Sequence, residues 1–205
     1  MNHRKHKRNF YMPTVWAVSQ KHMGALRLFS FQADSGKDVI VKKVGIIMGS
    51  DSDLPVVEKA ISTLAELSIP TEVHVYSAHR TPIEARDFSV NARENGFGAI
   101  IAAAGKAAHL AGAIAANTTL PVIGIPVKSS TLDGIDALLS TVQMPAGIPV
   151  ATVAIDGAAN AALLAAQIIA VDDADLAARL DAMRKAASEK VLRANAEIEK
   201  KYSTI

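Results

Sequence analysis

Cysteine is absent from the 205 residues. That excludes disulfides, thiolate metal sites and cysteine nucleophiles, and it fits a reducing, cytoplasmic setting. Aromatic residues amount to only 4 %, with one tryptophan, too few for a nucleic-acid surface built on stacked rings. Acidic residues are missing from residues 1–33, which carry six Lys or Arg; the rest holds sixteen cations against twenty anions. The net charge of +2 is therefore local to the N-terminal segment. The folded part is acidic and makes no electrostatic footprint for nucleic acid. Uninterrupted membrane-length runs are lacking too. Ala107–Val127 and Ala137–Ile155 are free of formal charge, but Asn117, Thr118, Pro121 and Pro126 break the first, and Pro145 and Pro149 the second. A lipid-spanning helix would have to satisfy those interruptions internally, so both stretches read as segments buried in protein, with no membrane partner. No Gly-Lys-Ser/Thr phosphate loop, no G-x-G-x-x-G and no His-x-x-x-His occurs at a strand end, so no metal is expected.

Half of the chain is hydrophobic, mostly Ala, Ile, Leu and Val, enough for one well-packed domain. Residues 1–42 show no sustained periodicity and open on the cluster His3-Arg4-Lys5-His6-Lys7-Arg8. They are expected to be a disordered N-terminal extension, although the acid-free, basic composition of residues 1–33 also resembles a targeting segment. From Lys43 onward one domain, 43–205, is expected. Val44–Met48 reads as a buried strand, and Leu54, Val57, Ala60, Ile61, Leu64 and Leu67 then recur at helical spacing. Thr71–Tyr76 forms a second strand, followed by a helix over Ile83–Asn95 closed by Gly96. Further strands are expected at Ala99–Ala103, Pro121–Ile125 and Pro149–Ile155, each before a helical window. Strands alternating with helices specify a doubly wound α/β fold with a five-stranded parallel sheet. A long C-terminal helix over 175–201 carries an apolar stripe from Leu176 through Leu180, Met183, Ala187, Val191 and Ala194 to Ile198. It either packs on its own domain or reaches a neighbouring subunit.

In such folds ligands sit beyond the carboxyl ends of the strands, so the strand-to-helix loops are where chemistry is sought. The loop Gly49-Ser50-Asp51-Ser52-Asp53 opens a helix; its free N–H groups suit an anion, and simple capping by Ser52 or Asp53 is the alternative. The loop Ser77-Ala78-His79-Arg80-Thr81-Pro82 pairs an imidazole that can give and accept a proton with a guanidinium that can fork onto phosphate. His79 is the acid–base candidate there, whereas His74 lies in a strand pattern and His109 in a small-residue segment. The third loop, Ala102 to Gly112, has small side chains that allow close approach of a flat heterocycle.

Five motifs in this order, Gly49-Ser-x-Ser-Asp53, Ser77-Ala-His-Arg-Thr-Pro82, Ala107-Ala-His-Leu110, Val142-Gln-Met-Pro145-x-Gly-Ile-Pro149-Val and Gly157-Ala-Ala-Asn-Ala-Ala-Leu-Leu-Ala-Ala166, closely resemble the PurE family of bacterial purine biosynthesis, in its class I form. The resemblance runs from about Val44 to the C-terminal helix. It implies a flavodoxin-like three-layer fold, a homo-octamer with active sites at subunit junctions, and an N5-carboxyaminoimidazole ribonucleotide mutase activity without ATP, biotin or metal cofactor. It further implies His79 as general acid–base, Ser50, Asp53 and Arg80 as substrate-binding residues, and Ser77, Ala78, Gly105, His109 and Leu110 around the ligand. The substrates implied are an aminoimidazole ribonucleotide and CO2. Family members carry Gly at the positions of Ala103 and Lys106 and Pro at that of Ala111. The alternatives are a related carboxylase taking free CO2 and a non-catalytic flavodoxin-like module binding FMN or a nucleotide.

Overall fold

The first strand forms because Val44, Ile46 and Ile47 suit a pleated backbone, and every residue after Lys43 in it is buried, as a central parallel strand requires. In the computed structural model, which describes residues 42–130 and 132–203, the strands are β1 Lys43–Met48, β2 Thr71–Val75, β3 Phe97–Gly105, β4 Val122–Val127 and β5 Ala151–Thr152. The helices are α1 Leu54–Glu66, α2 Pro82–Asn91, α3 Leu110–Ala115, α4 Ile135–Val142, α5 Ala158–Ile169 and α6 Ala174–Tyr202. All strand pairs are parallel, in the order β2-β1-β3-β4-β5. This is the flavodoxin-like doubly wound order, and the chain reverses direction across the sheet between β1 and β3. The expected extension, residues 1–42, lies outside the described residues apart from Lys42.

Alternation along the strands divides the core into two layers. Val44, Ile46 and Met48 of β1 join Ile101 of β3 and Ile123 and Ile125 of β4 beneath α1, α5 and the start of α6. Ile47, Ile100, Ala102 and Val122 face the other way, against Ala85 of α2 and Leu110, Ala111 and Ile114 of α3. Helices come very close to the sheet on this second face. A Cβ at Gly45 would lie 2.7 Å from Phe88 of α2, and one at Gly124 would collide with the Thr141 methyl of α4.

The fifth strand is much shorter than the expected Pro149–Ile155: only Ala151 and Thr152 pair, with Ile123 and Gly124. The reason lies in β4. Val153 N–H donates to the Gly124 carbonyl, so the polar groups of Gly124 face β5, and so do those of Pro126 two residues on. Proline has no N–H, and the ladder stops there. The Pro126 carbonyl instead accepts from Asp156 N–H at 2.9 Å. The second helix also ends earlier than the expected Asn95, at Asn91, and Gly96 at φ 82° closes the segment.

Helix α6 begins where Asp173 Oδ1 accepts the Leu176 N–H at 2.9 Å, an N-cap that satisfies an otherwise orphaned donor. Arg179 Nε donates to the Leu67 carbonyl and pins this first part to the end of α1. Of its 29 residues only Leu176 and Leu180 are buried, while Val191, Leu192, Ile198 and Tyr202 are exposed. The apolar stripe thus packs on its own domain for two turns and is bare thereafter. Among the described residues no helix is long and apolar enough to cross a membrane. The charge-free stretches are spent on α3, β4, α4 and β5.

Candidate active site

Four strands end at one edge of the sheet, and each hands its chain to a short polar loop. After β1, Gly49 N–H donates to the Ala103 carbonyl, keeping this loop against β3. Ser50 is extended, and its Oγ accepts the Ser52 N–H at 3.3 Å and the Ser52 hydroxyl at 2.9 Å. The capping residue of the 3₁₀ turn Asp51–Asp53 is therefore Ser50, not Ser52 or Asp53. Asp53 precedes α1 without making a side-chain cap bond, so its carboxylate is left for the cleft. Asp53 as a residue is only 7 % exposed. Burial raises its pKa; the Ser50 N–H and the Ser52 hydroxyl oppose the rise, neighbouring Asp51 adds to it, and Arg80 counters it.

The loop after β2 is bonded to itself. Ser77 Oγ accepts the N–H groups of both His79 and Arg80 at 3.3 Å, and Thr81 Oγ1 accepts the Ser77 N–H at 2.8 Å. Pro82 then starts α2 at a position where its missing N–H is not needed. Ser77 is thus a loop organiser that leaves the His79 and Arg80 side chains free to project. Arg80 Nη2 donates to the Gly49 carbonyl at 2.9 Å and ties the second loop to the first.

At the end of β3, Gly105 packs closely on the next strand, since a Cβ there would lie 3.2 Å from the Val127 carbonyl. Lys106 follows at φ 54°. His109 N–H folds back onto the Ala107 carbonyl at 2.9 Å, and Leu110, buried, starts α3. The turn brings His109 Nδ1 to 3.0 Å from His79 Nε2, with the rings nearly perpendicular at 79°. One ring must donate and the other accept, so a single proton lies between the two imidazoles.

The residues expected at the site, Ser50, Asp53, Ser77, Ala78, His79, Arg80, Gly105, His109 and Leu110, all line one cleft of about 770 Å³ at the β1/β3 switch point. His109, which by itself read as part of a small-residue segment, is a direct partner of His79. His74 is not in this cleft: it bonds Glu72 and stacks on Tyr76. Sequence reasoning passed over the fourth loop, where Lys128, Ser129 and Ser130 complete the wall. Lys128 N–H donates to Asp156 Oδ1 at 2.9 Å and its Nζ pairs with Asp133 at 3.0 Å, which raises its pKa. The available signal was positional: Lys-Ser-Ser follows the buried run ending at Val127, as the other three loops follow theirs.

Comparison with known proteins places these loops in context. Residues 43–190 match the family model described as AIR carboxylase. The N5-carboxyaminoimidazole ribonucleotide mutase of Pyrococcus horikoshii is 55 % identical over 148 residues, covering 72 % of this chain and 84 % of that protein. The mutase of the same name from Mycobacterium leprae is 52 % identical over 158 residues, 77 % of this chain and 92 % of that one. Among solved structures, Treponema denticola PurE superposes with a TM-score of 0.70 at 28 % identity, over 77 % of this chain and 99 % of that chain.

Proposed function

The chain belongs to the AIR carboxylase family, and from that premise we propose how its cleft performs the reaction of an N5-carboxyaminoimidazole ribonucleotide mutase. The enzyme is an isomerase of purine biosynthesis: it moves a carboxylate from the exocyclic N5 to ring carbon C4 of an aminoimidazole ribonucleotide. The observation that carries the mechanism is the hydrogen bond between His79 and His109 inside the cleft.

His79 is the general acid–base. It gives a proton to N5 as the carbamate C–N bond breaks, and CO2 leaves. The electron-rich C4 attacks that CO2, and the same imidazole takes the C4 proton so that the ring regains aromaticity. The proton count closes, because the proton delivered to N5 is matched by the one removed from C4. His109 exchanges a proton with His79 through their shared bond and keeps its ring oriented. Ser50, Asp53 and Arg80 hold the ribose phosphate end. A charge-assisted bond from Arg80 suits a phosphate dianion present in ground and transition states alike. Ala78, Gly105 and Leu110 supply small or apolar walls against the heterocycle. The location is cytoplasmic on the strength of the cysteine-free composition.

CO2 freed in the cleft must stay beside C4, so proximity and exclusion of water dominate the rate. In one chain, however, His79 and Arg80 are exposed, and the far part of α6 carries Val191 and Ile198 uncovered. Assembly into a homo-octamer supplies the missing walls, with α6 as the arm. Leu180 belongs to the domain's own core, so the arm is tested at Val191 and Ile198. Replacing both with Asp puts buried charge into that contact. Light scattering is expected to find smaller species with reduced activity, and an intact, fully active octamer refutes the arm.

Carbamate substrate labelled in its carboxyl carbon, incubated without ATP in unlabelled bicarbonate, tests the reaction itself. Retained label in the C4 carboxylate is the expected result. Label replaced from the medium identifies a carboxylase that uses free CO2, and a yellow protein without turnover identifies a flavin-binding module.

A further inference from the structure

Three cations line the cleft: Arg80, Lys106 and Lys128. Two are already engaged within the chain, Arg80 with the Gly49 carbonyl and Lys128 with Asp133. Lys106 has no hydrogen-bond or ion-pair acceptor among the described residues. It also stands at φ 54°, a left-handed conformation that a side chain with a Cβ adopts at a cost, and such strain collects at functional positions. Its neighbour Gly105 is held by the tight approach to Val127, and three residues on lies His109, bonded to His79. An uncommitted ammonium therefore sits on the same short turn as His109, one member of the proton-transfer pair. Arg80 is tied to the Ser50–Asp53 loop through the Gly49 carbonyl, and both line the same cleft.

We propose that Lys106 binds the migrating carboxylate of substrate and product, so that the reacting end of the ligand is held by its charge beside His79. This rests on the mutase reading. The substrate carries two anionic groups, a ribose phosphate and a carboxylate. Arg80 answers the first, and Lys106 answers the second. A lysine makes a point-charge contact on a flexible stem, which suits a carboxylate that must change its attachment from nitrogen to carbon without leaving.

The test compares ligands with and without the carboxylate on Lys106→Gln, Lys106→Arg and Lys106→Gly. In Lys106→Gln, the Michaelis constant for the carbamate substrate and the dissociation constant of the C4-carboxylated product are expected to rise about tenfold or more, the scale of a lost charged contact. The dissociation constant of the uncarboxylated aminoimidazole ribonucleotide is expected to stay unchanged. Lys106→Arg restores most of the affinity. Lys106→Gly binds like Lys106→Gln although it relieves the backbone, which separates charge from strain. Equal weakening of both ligands assigns Lys106 to the phosphate and overturns the proposal, as does unchanged binding of both. Should the wild-type chain form no C4-carboxylated product, the mutase reading fails by that result. The paired binding measurements still report on Lys106.

Discussion

Two histidine clusters in this chain use similar side chains to opposite ends. On the edge strand β2, His74 Nε2 is 2.9 Å from Glu72 Oε1, and the other Glu72 oxygen accepts from Lys43 Nζ at 2.8 Å. His74 stacks on Tyr76, Phe88 meets its edge, and Lys43 lies over the Phe97 ring. Every charge there is answered by its neighbour. In the cleft, among the described residues, the His79 side chain hydrogen-bonds another imidazole and that of Arg80 a backbone carbonyl, and the carboxyl lining it, Asp53, is held above its ordinary pKa by burial. The first cluster spends its polar capacity on the fold. The second keeps it for something outside the chain. What separates the two is position: side chains in the middle of a strand find partners along the ladder, whereas those just past its end face open space.

The largest expected effect breaks this contrast at the histidines. His79→Asn lowers turnover about 10²-fold or more, the usual scale of a lost acid–base group, with an unchanged melting temperature because the ring is exposed. His74→Asn leaves turnover as it was. Steady-state kinetics and thermal melts on the two variants check this, and comparable turnover losses in both would erase the distinction between the clusters.

The carboxyls sharpen the comparison through opposite signs. Lys43, then His74, hold Glu72 below its ordinary pKa of 4.5, against a smaller pull from burial. Its contribution to stability is present above 4.5 and is lost as pH falls through its lowered folded value. Burial holds Asp53 above its ordinary 3.8, so its contribution is full below 3.8 and is lost as pH rises through the raised folded value. Melting curves across pH are expected to show Asp53→Asn gaining on the wild type from acid toward neutral pH. Glu72→Gln should lag at neutral pH and converge in acid, by a smaller margin because its pair is partly exposed. Parallel curves for the two variants would contradict both assignments. Removal of residues 1–41 is expected to have the smallest effect, none on turnover or melting, since every motif lies beyond them; loss of soluble enzyme would assign that segment a structural part.

The motifs at the ends of β1, β2 and β3 were legible because each depends on local chemistry: a buried β-branched run, then residues that cap, turn or carry charge. Proline at position 82 does its work within a few residues of itself, and an order of motifs along a chain is itself linear information. The start of α6 was equally readable, since the stripe has a fixed period. Its far half was not, because a stripe records what needs covering and says nothing of what covers it.

Sequence by itself determined the α/β class, the strand positions to within a few residues and the side chains that gather at the strand ends. Tertiary structure alone decided how those side chains meet. The contact between His79 and His109 spans 30 positions and exists because β2 and β3 flank β1, a consequence of strand order. Ser50 supplies the cap bond of the 3₁₀ turn while Asp53, ahead of α1, makes none, and the fourth wall at Lys128 came from β4 lying beside β3. The fifth strand stopped short because a proline in its neighbour, not in itself, lacked the N–H to extend the ladder. Local patterns choose an element from energies that act within a turn or a pleat. Which loops converge is settled by the packing of whole elements, where no single residue carries the signal.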